Sequence, residues 1–98
     1  MENYIGKKCI IRCDRSGVFF GTLESLEGQQ AKISNVRNIW YWDGAASVMQ
    51  LATEGVKNPN GCKFTVTVSE IVVTDAIQII PCTEQAVKNI EAVKTWKR

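Results

Sequence analysis

The sequence predicts an α+β fold: a small twisted antiparallel sheet or partly closed SH3-like barrel, with a short mid-chain helix and a C-terminal helix. Three observations predict it. Residues 8–42 alternate short apolar runs with Asp/Ser/Gly and Glu/Gly turns, the pattern of a strand meander. The apolar spacing switches to the helical repeat near 45–52 and again near 84–94. The chain has 98 residues, of which 45% are hydrophobic and 22% charged. That size and balance suit one domain, residues 1–98, with a single modest core.

The elements follow in order. Residues 8–12 form an Ile-rich strand, and Asp14-Arg15-Ser16-Gly17 turns the chain. Residues 18–26 form a second strand, in which Gly21 marks a bulge or a close backbone approach. After the Glu27-Gly28-Gln29 turn, residues 30–42 form a long strand with Ala31 and Ile33 inward, Val36 as a further inward candidate and Asn35 as a candidate kink. Asp43 is the expected N-cap of a helix over 45–52, where Val48, Leu51 and Ala52 recur at helical spacing. Gly55 is its expected stop, with Val56 making the accompanying apolar contact. A loop over 57–61 leads to a strand over 63–70, with Phe64, Val66 and Val68 on its dry face. Residues 71–73 and 76–80 add a final strand or pair ending at Pro81. Thr83 caps the last helix, 84–94, whose stripe is Ala86, Val87, Ile90 and Val93. Trp96 is placed to pin its end.

The net charge is +2. That is too weak for nucleic-acid binding by bulk electrostatics, so no nucleic-acid partner is expected on this ground. The basic cluster from Lys94 to Arg98 reads as a solvated helix end favoured by the helix dipole. No leader pattern and no apolar span are visible, which predicts a cytoplasmic protein without a membrane partner. Cys9, Cys13, Cys62 and Cys82 lack C-x-x-C spacing. They read as small core hydrophobes in a reducing compartment, with a metal site or a disulfide as the lesser alternatives. There is no histidine, and no acid/base, nucleophile-elbow or phosphate-loop pattern stands out. The expectation is a protein that is not an enzyme and carries no cofactor and no metal.

The most informative segment is Arg37-Asn38-Ile39-Trp40-Tyr41-Trp42-Asp43-Gly44-Ala45-Ala46-Ser47. Strand alternation puts Trp40 and Trp42 on one face and Tyr41 on the other. Arg37 joins the tryptophans only if a bulge near Asn38 intervenes. Aromatic faces can stack a base, Arg37 and the amides of Gly44, Ala45, Ala46 and Ser47 at a helix start can hold phosphate, and Asp43 can bind ribose hydroxyls. Lys57 and Lys63 flank the segment and add charge. The competing reading makes the tryptophans core or a dimer interface. Phe19 and Phe20 cannot both point inward, so one of them faces a partner or a groove.

The runs Gly17-Val18-Phe19-Phe20-Gly21, Arg37 through Trp40-Tyr41-Trp42-Asp43-Gly44-Ala45-Ala46-Ser47 to Gln50-Leu51-Ala52, Gly55-Val56-Lys57-Asn58-Pro59 and Ile79-Ile80-Pro81-Cys82-Thr83 resemble a family of small phage and prophage proteins. The resemblance covers nearly the whole chain, and the family is a domain of unknown function. What it implies is a setting. Small soluble oligomeric phage proteins include sponges that sequester nucleotide signals of bacterial immunity, with pockets of aromatics, arginines and backbone amides near subunit interfaces. By type, the resemblance implies a phage-encoded binder of a small nucleotide ligand, cyclic ADP-ribose-like or a cyclic dinucleotide. Such a binder would be a homo-oligomer in the host bacterial cytoplasm, counteracting anti-phage defence. The alternative is a protein–protein interaction module that inhibits or modifies a host protein through Phe19 or Phe20 and the tryptophans.

Overall fold

The computed structural model describes residues 2–98. A 3-10 turn, Glu2–Tyr4, precedes β1 (Lys8–Cys13), β2 (Val18–Glu27) and β3 (Gln30–Tyr41). Helix α1 (Val48–Glu54) and a second 3-10 turn, Pro59–Gly61, come next. They are followed by β4 (Lys63–Phe64), β5 (Val68–Val73), β6 (Ala76–Pro81) and α2 (Glu84–Ala92). The expected α+β architecture is present. Its strands form one antiparallel, open sheet of order β4-β3-β2-β1-β6, with β5 also paired to β3. Of the two architectures expected, the twisted open sheet is the one found, and it does not close into a barrel.

Two apolar clusters flank the sheet. One lies under the helices and includes Ile10, Phe20, Ile39, Leu51, Phe64, Ala86 and Ile90. The other covers the opposite face with Cys9, Ile11, Cys13, Leu23, Ala31, Ile33, Val36 and Val73. Strand β1 pairs on both edges and feeds both clusters, which explains its nearly continuous apolar sequence. The four cysteines are free thiols, buried at positions 9, 13 and 62 and half-buried at 82, as small core residues would be.

Strand β3 switches from one cluster to the other. Between the pairs Thr22↔Ser34 and Phe20↔Arg37, β2 spends one residue and β3 spends two, Asn35 and Val36. Asn35 takes a left-handed backbone, φ 46°, which its short polar side chain tolerates better than a branched one. The extra residue reverses the parity of the strand. Ile33 and Val36 face the second cluster, while Ile39 faces the helices. The expected kink at Asn35 and inward Val36 are therefore present. Gly21 lies opposite this bulge. A Cβ there would stand 2.7 Å from Ile33 Cγ2 and 2.9 Å from the Ser34 carbonyl oxygen, the close approach that the glycine signals.

Several boundaries differ from expectation. The strand expected over 63–70 is broken: β4 stops at Phe64 and β5 begins at Val68. Thr65 is diverted, its Oγ1 accepting from the Asn38 amide and its own amide donating to the Asn38 carbonyl. Phe64 is buried as expected, but Val66 and Val68 are 46% and 41% exposed. Three strands therefore follow α1, and residues 71–73 and 76–80 fall in a pair, β5 and β6. The helix α1 starts at Val48 rather than Ala45, because Ser47, not Asp43, is its N-cap and accepts from the Gln50 amide at 3.1 Å. Gly55 ends it as expected, with φ 79° and its amide on the Leu51 carbonyl, and Val56 is buried behind it. Thr83 caps α2 as expected, but the helix ends at Ala92 with no basic residue in its last turn. The Lys94–Arg98 cluster is therefore not a helix end.

Candidate functional site

Arg37 is the first residue of the expected site, and the structure places it in the interior. It is 5% exposed. Its guanidinium donates to the carbonyls of Thr65 (3.1 Å), Phe64 (3.3 Å), Ile90 (3.2 Å) and Val93 (3.0 Å) and lies 5.3 Å from the Phe64 ring centroid. Two of those acceptors stand at the C-terminal end of α2, Ile90 in its last turn and Val93 as its C-cap, where a cation also meets the negative end of the helix dipole. Burial lowers the pKa of this guanidinium from its ordinary value. Arg37 is thus a structural clamp between β3, β4 and α2, and its donors are not turned to a phosphate. The reason is the Asn35 bulge, which sends Arg37 inward with Ile39.

The two tryptophans of the run do not share a face, contrary to the alternation expected. The β3–β4 register slips between Ile39 and Tyr41, and the chain leaves the strand after Tyr41. Trp42 turns in against the helix-side cluster, and its indole N–H donates to the Ala45 carbonyl at 3.2 Å. Trp40 turns out and is 61% exposed. Its ring runs parallel to that of Trp96, at 3° between planes and 6.3 Å between centroids. Tyr41 is exposed beside it and pairs in register with Lys63. The Lys63 ammonium sits 5.5 Å from the Trp96 centroid. Trp96 is itself fixed: its amide donates to the Phe64 carbonyl at 2.8 Å, and Thr95 bridges Phe64 in parallel.

Residues 43–47 form a turn folded against the 57–62 loop, not a helix start. Asp43 Oδ2 accepts from Asn58 Nδ2 at 2.6 Å, and the Asp43 amide points at Cys62 Sγ, 3.4 Å away. Gly44, at φ 94°, accepts the Lys57 amide. A Cβ on Gly44 would fall 2.6 Å from the Lys57 and Asn58 amide nitrogens, so this position requires glycine. The Ala46 amide is taken by Gln50 Oε1 at 2.8 Å, and Ser47 is the cap of α1. Lys57 is exposed on the loop side of this turn. The structure therefore brings Trp40 and Tyr41 together with Lys63 and Trp96. It uses Arg37, Trp42, Asp43 and the 44–47 turn for folding contacts. Sequence reasoning gave Trp96 only a pinning role. Its partnership with Trp40 depends on a stretch of non-helical chain that carries no pattern. It also missed Asn89, whose side chain accepts the Val56 amide (2.8 Å) and donates to the Val56 carbonyl (2.9 Å), locking α2 onto the end of α1.

Two cavities lie elsewhere. An open groove of about 920 Å³ runs between Lys7-Lys8, Pro81-Cys82 and the Val87-Lys88 side of α2. Burial pushes the Cys82 thiol there up to about 12, so it is protonated at neutral pH. A cleft of about 120 Å³ opens where β4 and β5 part, lined by Phe19, Asn38, Val66, Val68 and Ile71 among others. Phe20 is in the core and Phe19 lines this cleft, which resolves how the adjacent phenylalanines divide. Among the described residues no cluster of three or more Cys, Asp or Glu is placed to hold a metal ion, and no helix is long and apolar enough to cross a membrane.

Compared with known proteins, the chain matches no curated protein and no solved structure. A family match does exist, and it runs over residues 6–90, from just before β1 into the last turn of α2. The chain belongs to DUF6948, a domain of unknown function.

Proposed function

We propose that this protein is a non-enzymatic binder of a small nucleotide, made by a phage to sequester a cyclic ADP-ribose-like or cyclic dinucleotide immune signal in the host bacterial cytoplasm. The observation that carries this reading is the exposed Trp40 ring, parallel to Trp96, with the Lys63 ammonium against the pair. A flat π-face beside a cation suits a base attached to a phosphate. Base–aromatic stacking contributes about 1–3 kcal/mol per base. The ligand-contact set becomes Trp40, Tyr41, Lys63 and Trp96. The resemblance to phage and prophage proteins supplies the setting. A binding role is also favoured by the ionisable groups. Burial lifts the Cys9 and Cys13 thiols to about 11, away from nucleophilic use, and the chain has no histidine. Exposed Val66, Val68 and Val72 around β5 support self-association into a homo-oligomer.

The purified protein is incubated with cyclic ADP-ribose isomers and cyclic dinucleotides, washed and heated. Release of intact ligand is expected, and its loss in Trp40→Ala. Failure to retain any of them would sink the reading.

The second reading is an interaction module that inhibits a host protein, favoured by the apolar cleft at Phe19, Val66 and Val68. A stoichiometric partner recovered from host lysate, lost on Val68→Asp and kept on Trp40→Ala, would select it.

A further inference from the structure

We infer that residues 93–98 are the specificity element of this site and make it select ligands carrying more than one phosphate. The inference rests on the nucleotide reading and names its ligand class. Val93 is buried and seats the segment in the helix-side cluster. The Thr95–Phe64 bridge and the Trp96 amide bond to the Phe64 carbonyl then hold its backbone beside β4. With its backbone held there, Trp96 becomes the second wall of the stacked pair. Lys94, Lys97 and Arg98 are exposed on the same short segment. They have no packing task. Among the described residues, the salt bridges are Lys8–Glu91 and Lys32–Glu70, so Lys63, Lys94, Lys97 and Arg98 have no acidic partner. Lys63 thus lies against Trp96, and Lys94, Lys97 and Arg98 stand within two residues of it along the chain: four of the 12 basic residues of a chain whose net charge is only +2. Lys63 rests on the Trp96 ring and has an ammonium to give to a phosphate. One phosphate needs one or two such cations. Four uncompensated cations favour a ligand whose charge is spread over two or more. The segment lies beyond the family match, which ends at residue 90.

The test is quenching of tryptophan fluorescence by AMP, ATP, cyclic AMP and cyclic di-AMP. It uses the full chain, Trp96→Ala and the triple variant Lys94→Ser/Lys97→Ser/Arg98→Ser, each first shown to melt as the full chain does. In the full chain, ATP and cyclic di-AMP are expected to bind about tenfold or more tightly than AMP and cyclic AMP, a step of ~1.4 kcal/mol. The triple variant should lose that preference while still binding. Trp96→Ala should weaken all four ligands alike. An unchanged preference in the triple variant would overturn the inference and leave the nucleotide reading standing. No quenching by any of the four would overturn both.

Discussion

The two halves of β3 use the same kind of residue in opposite ways. Before the Asn35 bulge the strand pairs with β5 and gives Ala31 and Ile33 to the core, and its basic residue, Lys32, stays in solvent beside Glu70 at 3.6 Å. After the bulge it pairs with β4, its basic residue, Arg37, goes inside onto four backbone carbonyls, and the strand ends on the exposed Trp40. The comparison teaches that register, not residue type, decides what a cation does. One residue of extra backbone moves Arg37 from the face of the second cluster to the helix side, where the backbone carbonyls that clamp it lie. It also sets the exit direction of the Trp-Tyr-Trp run.

The largest effect should come from the second half. Arg37→Met strips the side-chain donor from the carbonyls of Thr65 and Val93, and from those of Phe64 and Ile90, which keep the Trp96 and Val93 amides; it is expected to cost about 3–4 kcal/mol in urea unfolding. A melting temperature lowered by less than about 4 °C, worth ~1 kcal/mol in a domain of this size, would show that water replaces the guanidinium. Arg37→Lys should recover only part of the loss, since an ammonium lacks the planar fork. The bulge itself comes next. Asn35→Val should cost about 1–2 kcal/mol because a branched side chain resists φ 46°, whereas Asn35→Gly should be neutral or slightly stabilising. Equal stability of the two variants would mean that the strand can shed the bulge, and Arg37 would then turn away from its four carbonyl partners. The first half should yield the smallest effect: Lys32→Ala changes stability by no more than about 0.5 kcal/mol, as an exposed ion pair does.

The sequence carried the periodic parts of the fold well. The Gly55 stop, the Thr83 cap and the stripe of α2 all rest on local chemistry, and they appear where that chemistry puts them. Errors came where long-range contacts overrule local pattern. Residues 63–70 alternate cleanly, yet Thr65 is claimed by Asn38 and the strand breaks there. Asp43 looks like a cap, but Asn58 and Cys62 engage it and Ser47 caps instead. The site was half legible. Its aromatic richness was visible as composition, whereas the Trp40–Trp96 partnership joins residues from two distant stretches and had no signature.

The Arg37 clamp also bears on the order in which the chain can become a protein. Its acceptors at Ile90 and Val93 lie 53 and 56 positions further along. Strand β1 likewise waits for β6, whose Pro81 pairs with Cys9. A ribosome releases the guanidinium long before it makes the carbonyls that satisfy it. During synthesis the emerging meander carries a hydrated charge that closing the core would strip of water before its acceptors exist, a reason for it to stay open. Closure of such distant pairings is slow compared with local hairpins. Closure of the helix-side core is therefore expected only once α2 has been made.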